Sequence, residues 1–135
     1  MPLNKKHKQR IQQWVDALRN GQYRQTSKAL CRIEKGVHRY CCLGVACEVA
    51  IANGVKIKTR EDSTFIEGKV HERKVKCVLY DNMGDFLPNK VYKWFGLDAA
   101  NPKVTIGHRD CLSIFNDDRV GFKKIADAIE KEFLL

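Results

Sequence analysis

No apolar run in this sequence approaches the roughly 20 residues that span a bilayer. Nor does a signal-peptide-like apolar stretch follow the basic start MPLNKKHKQR, so a cytoplasmic protein is expected. The phosphate-binding glycine patterns G-x-x-x-x-G-K-[ST] and G-x-G-x-x-G are both missing, which argues against an ATPase, a kinase or a Rossmann oxidoreductase. There is no paired C-x2-C knuckle, no internal repeat, no low-complexity tract and no inter-domain linker. Acidic residues are scarce at one end: residues 1–40 hold ten Lys/Arg against only Asp16 and Glu34, whereas residues 41–135 hold fifteen against fourteen. The net charge of +9 therefore lies almost wholly in the first 40 residues. Such asymmetry points to an anionic partner, nucleic acid or a phosphorylated small molecule, with a solvated basic face as the plainer alternative.

At 135 residues the chain is long enough for one real hydrophobic core, and residues 1–135 are read as a single domain. Of its six cysteines, Cys31, Cys41, Cys47 and Cys77 sit among apolar residues. Without an export signal they are expected to be free thiols packed as small hydrophobes.

Periodicity sets out the elements. Ile11, Trp14, Val15 and Leu18 form one helical stripe, with Gly21 just past its end. "SKALCRIEKGVHRYCC" reads as two strands turning at Lys35-Gly36. Alternation places Lys28, Leu30, Arg32 and Glu34 on one face and Ala29, Cys31 and Ile33 on the other. On the return strand Val37, Arg39 and Cys41 alternate with His38, Tyr40 and Cys42, which brings Arg32 near Arg39. From Cys42 to Asn53 a core helix is expected, with Leu43, Ala46, Cys47 and Ala50 in its stripe. Residues 55–80 read as strands, with "EDSTFIEGKVHERK" as a hairpin tip or mobile loop. A short helix follows, with Pro88 near its first turn and Val91, Trp94 and Phe95 inward. "KVTI" is read as a strand or extended connection, and "RDCLSIFNDD" as a short helix or turn with Leu112 and Phe115 inward. A final helix runs through Phe122, Ile125, Ala126, Ile129 and Phe133. The fold class is α+β: a small, mostly antiparallel sheet packed with N-terminal, central and C-terminal helices.

Several constellations offer candidate chemistry. His38-x2-Cys41, His108-x2-Cys111 and Cys42-x4-Cys47 have spacings reminiscent of zinc ligands. However, His38 and Cys41 on a strand point to opposite faces, and residues five apart on a helix do not share one. No metal or cofactor is expected. Cys42, where a strand gives way to a helix, would gain thiolate character from the helix N-terminus, and His108 with Asp110 or Asp117 would complete a triad. Against this, Leu43 and Val45 beside it point to burial. Asp117-Asp118 reads as a cap for the final helix. The basic helix carrying Lys5, Lys6, Lys8, Arg10 and Arg19 is a candidate for lying along nucleic-acid phosphates.

Three segments together carry a resemblance: Trp14 and "AL" followed by "GQYRQ"; "YCCLGVACEVA"; and "FLPNKVYKWFGL" leading to "FNDDRVGFKKIADAIEKEF". In this order and spacing the chain resembles a family of small proteins encoded by tailed bacteriophages and prophages. The likeness covers most of the chain, least clearly residues 55–80. It implies a small accessory protein made in the cytoplasm of an infected bacterium. Proteins of that kind often inhibit host enzymes or defence systems, and some sequester nucleotide immune signals.

With no organised catalytic set, the residues favour a binding protein over an enzyme. In this reading Lys28, Arg32 and Arg39 neutralise the phosphates of a cyclic or linear nucleotide signal. Tyr40 stacks on the base, Asn116 reads its edge, and a homo-oligomer builds the pocket. The alternatives are a protein–protein inhibitor of a host defence enzyme and a basic nucleic-acid-binding protein.

Overall fold

The helix α1 (Lys5–Arg19) begins at a reciprocal cap: Asn4 Oδ1 accepts the His7 backbone N–H at 2.8 Å, and His7 Nδ1 accepts that of Asn4 at 3.3 Å. Its lysine-rich first turns lack favourable dipole interactions, and this box satisfies the end instead. The structure, a computed structural model, describes residues 2–67 and 72–135, the side chains of 64–67 and 72–74 excepted. The remaining elements are β1 (Cys31–Glu34), β2 (Val37–Tyr40), α2 (Cys42–Ala52), β3 (Thr59–Glu67), β4 (Glu72–Tyr80), α3 (Asn89–Trp94), β5 (Lys103–Ile106), β6 (His108–Cys111), α4 (Leu112–Asp117) and α5 (Phe122–Phe133). A four-stranded antiparallel sheet has the order β2-β1-β4-β3, and β5 pairs with β6 in a separate hairpin. The fold is α+β, with helices at the N-terminus, centre and C-terminus. No described helix is long and apolar enough to cross a membrane.

The central helix α2 is apolar on nearly every side and is buried from Cys42 to Cys47. Trp14 of α1 packs against Phe95 with ring centroids 5.3 Å apart and donates its indole N–H to the Cys42 carbonyl at 3.0 Å. That bond removes the cost of burying a polar indole edge. Gly44 permits a close approach of α2 to the Leu30 backbone: a Cβ there would stand 1.8 Å from the Leu30 carbonyl oxygen. Arg19 joins α1 to α5 through Asp127 at 2.7 Å and Glu130 at 3.1 Å.

The sheet is packed unequally. Cys31, Val78 and Tyr80 enter the main core with the helices. The other face holds a small cluster of Ala29, Val75 and Cys77 that contains no helix residue. Several expectations need correcting here. Residues 55–58 form no strand, and the start of "RDCLSIFNDD" is the end of β6, with α4 beginning only at Leu112. Asp117 and Asp118 close α4 and do not cap α5, whose N-cap is Gly121 without a side-chain bond. Of the expected hairpin tip, residues 68–71 lie outside the described residues.

Candidate functional site

The β1–β2 hairpin turns at Lys35-Gly36, with φ of 51° and 77°. Positive φ at both central positions is what a tight two-residue hairpin turn requires. This fixes the register Arg32↔Arg39, with Ile33↔His38 and Glu34↔Val37 following toward the turn. Two guanidiniums directly opposite on one face repel each other unless an anion intervenes. Here the anion is Glu34: its Oε1 lies 3.4 Å from Arg32 Nη2 and its Oε2 lies 3.2 Å from Arg39 Nε. The contacts are ionic and off the alignment of a hydrogen bond. The Nε atoms of both arginines are enclosed and have no hydrogen-bond partner among the described residues. Arg32 Nη1 donates to the Ser27 carbonyl at 3.4 Å. Beside the pair opens a cleft of about 500 Å³ lined by Arg32, Glu34, Lys35, Val37, Arg39 and Lys76, among others. Lys76 is also paired with Glu61 at 2.9 Å.

The structure brings together Arg32 and Arg39 but places the other three expected residues elsewhere. Lys28 precedes β1 at φ 65°, and its backbone N–H donates to Asp117 Oδ1 at 2.8 Å. Strict alternation fails because Leu30 and Cys31 both enter the main core, so Lys28 is not on the Arg32 ladder. It lines a separate cavity of about 280 Å³ with Cys41, Asp85, Phe86, Ile114 and Asp117. Tyr40 lies on the face opposite Arg39, edge-on to Tyr23 at 5.2 Å and stacked over His38 at 6.5 Å. Burial and the nearby Glu48 carboxylate raise its hydroxyl pKa. Asn116 is buried, and its amide is committed within the chain. Its Oδ1 accepts from Gln25 Nε2 at 3.0 Å and from the Cys42 N–H at 3.1 Å, while Nδ2 donates to the Thr26 carbonyl at 2.7 Å.

The thiols of Cys31, Cys41, Cys42 and Cys47 are poor nucleophiles. Burial pushes Cys31 and Cys41 up to about 12 and holds Cys42 and Cys47 well above the ordinary thiol range. The Cys42 sulfur is enclosed and 3.8 Å from the Leu112 carbonyl, so its place at the helix start does not yield a thiolate. Cys41 is the cap residue, its sulfur accepting the Gly44 N–H at 3.3 Å. His38 Nδ1 lies 3.6 Å from Cys31 Sγ, a pair the sequence spacing had not indicated. Among the described residues no three His, Cys, Asp or Glu side chains converge as a metal site.

On the basic helix, Arg10 is turned inward over the Trp94 ring at 4.6 Å, bonding its carbonyl at 2.8 Å, and Arg19 is held by α5. A larger cleft of about 670 Å³ is lined by Lys58, Thr59, Arg60, Asp81, Asn82 and Lys90. Two of its three cations are already engaged, Arg60 with Asn82 at 3.1 Å and Lys90 with the Lys56 carbonyl at 3.0 Å. Lys35 and Lys76 were missed as lining residues. Lys35 was legible only as a turn, and Lys76 depends on the β1–β4 pairing, which no local pattern encodes.

The model of the family described as Domain of unknown function (DUF8296) matches residues 6–133. No curated protein and no solved structure matches the chain.

Proposed function

The chain belongs to the DUF8296 family, and we propose that it binds a phosphate-bearing nucleotide in the Arg32–Arg39 cleft without turning it over. The observation that carries this reading is the register-matched arginine pair whose enclosed Nε–H groups make no hydrogen bond among the described residues. A guanidinium edge offers parallel donors that match phosphate oxygens. Lys35 and Lys76 add positive charge to the walls, and about 500 Å³ is within the range of small-molecule sites. Capture without chemistry is in keeping with thiols that stay protonated at neutral pH.

The biological setting rests on the resemblance to phage proteins. In this reading the protein is made in the infected bacterial cytoplasm and removes a nucleotide immune signal. β2 is an edge strand whose Tyr40 end is bonded to Arg24 and Thr26 and whose Val37 is exposed, and a second copy paired at the Val37 end would close the cleft in a homo-oligomer. A second reading, inhibition of a host protein, draws on Phe86 and Ile114, which are exposed beside the Lys28 cavity.

A thermal-shift screen against linear and cyclic nucleotides, including cyclic ADP-ribose isomers, tests the proposal. A saturable rise in Tm that Arg39→Ala abolishes is expected, since a ligand preferring the folded state stabilises it. No rise across the panel overturns it, and a stable complex with a host protein then favours the second reading.

A further inference from the structure

Glu34 lies two residues beyond Arg32 on the same strand and therefore on the same face. Its single carboxylate spans both guanidiniums, at 3.4 Å to Arg32 Nη2 and 3.2 Å to Arg39 Nε. A phosphate bound between the two arginines would occupy that same position. We propose that Glu34 is the internal occupant of the anion position, so that the cleft selects phosphomonoester or pyrophosphate groups of at least two negative charges over singly charged phosphodiesters. The inference rests on the Arg32–Arg39 cleft being a ligand site.

The selection follows from charge. Without Glu34 the arginines face each other uncompensated, so the free protein holds its own anion there. A ligand must displace it. A singly charged group returns only the charge it removes, whereas a dianion leaves a net Coulombic gain between two cations. The displacement is feasible because the Glu34 side chain is 41% exposed and its contacts are off hydrogen-bond alignment. The carboxylate can swing into water with little desolvation to overcome. Once it leaves, the two groups it faces, Arg32 Nη2 and Arg39 Nε, become available to the phosphate oxygens that replace it. Lys35, next in sequence at the turn, lines the same cleft and adds attraction that grows with ligand charge.

The test is calorimetric titration of the full chain with two probes, pyrophosphate and 3′,5′-cyclic AMP. It uses the wild type, the isosteric Glu34→Gln and the shorter Glu34→Asp, whose carboxylate no longer reaches both arginines. The wild type should bind pyrophosphate at least tenfold more tightly than cyclic AMP. Glu34→Gln should bind both more tightly, with cyclic AMP gaining at least tenfold and the preference shrinking. Glu34→Asp should fall between, and it carries the test if the Gln variant folds poorly. Should the wild type bind pyrophosphate while neither variant gains affinity, Glu34 is no competitor and the inference fails with the cleft still a site. Equal wild-type affinity for the two probes also overturns it. If neither probe binds any of the three proteins, the cleft reading itself falls.

Discussion

Asn116 Oδ1 accepts the backbone N–H of Cys42 at 3.1 Å, joining residues 74 apart in sequence. The bond ties "YCCLGVACEVA" to "FNDDRVGF", segments that start α2 and end α4. It also satisfies an N–H at the first turn of a buried helix, where no water reaches. Asn116→Ala strands that N–H and takes the partner from the Thr26 carbonyl, while the Gln25 amide keeps its bond to the Val120 carbonyl at 2.8 Å. With each buried orphan costing about 1–3 kcal/mol, a loss of roughly 3 kcal/mol is expected in urea unfolding. A loss under about 0.5 kcal/mol would mean that water enters and replaces the amide.

Gly44→Ala is expected to be more severe. Its Cβ would stand 1.8 Å from the Leu30 carbonyl oxygen, which is backbone and cannot rotate aside. Overpacking costs typically about 1–3 kcal/mol, and a rigid neighbour puts this variant at or above the upper end. Thermal melting checks it: a Tm within two degrees of wild type would show that β1 and α2 separate readily.

Alkaline pH should destabilise the fold. The Cys31 and Cys41 thiols have folded pKa values of about 12 against 9.0 in an unperturbed setting, chiefly because burial disfavours the thiolate. A raised folded pKa gives stability that is complete below about 9 and lost as pH climbs toward 12, since the unfolded chain gives up these protons first. Each thiol contributes a slope of up to roughly 1.4 kcal/mol per pH unit in that window. Urea midpoints measured from pH 8 to 11 should fall, and Cys31→Ala combined with Cys41→Ala should flatten the fall. A wild-type midpoint constant to pH 11 would contradict the burial of both thiols.

Thiol labelling gives an independent check. All six cysteines are free, five are buried, and Cys111 is partly exposed. A disulfide-exchange reagent should label one thiol per chain promptly and the other five only on unfolding. Cys111→Ser should remove the prompt phase. Prompt labelling of Cys42 instead would reopen the nucleophile reading.

Where local periodicity and burial agree, the sequence was legible. Ile11, Trp14, Val15 and Leu18 are all buried on α1, and Ile125, Ala126 and Ile129 on α5, as their spacing requires. The Lys35-Gly36 turn fixed the pairing of Arg32 with Arg39 because a two-residue turn leaves no other register. Lys28 was misplaced because alternation holds only while the ladder continues, and a positive φ together with the Asp117 contact ends it. Asn116 read as surface chemistry because its partners, Gln25, Thr26 and Cys42, are brought to it by tertiary packing alone. Asp117-Asp118 read as the cap of the final helix, but α4 runs through Asp117 and the turn through Arg119 at φ 66° leaves Gly121 as the N-cap of α5.

The unequal packing of the sheet has a consequence for how such a protein changes over time. Cys31 sits in the scaffold, while Arg32, Glu34 and Arg39 belong to a face that no helix residue covers through the buried cluster. Inheritance of the fold and inheritance of the cleft are thus written into alternate letters of the same short hairpin. Substitutions at 32, 34, 37 and 39 redraw the outer surface one position at a time, while the helices keep their grip on the strands from behind. Descendants can diverge on that outer face and still fold alike.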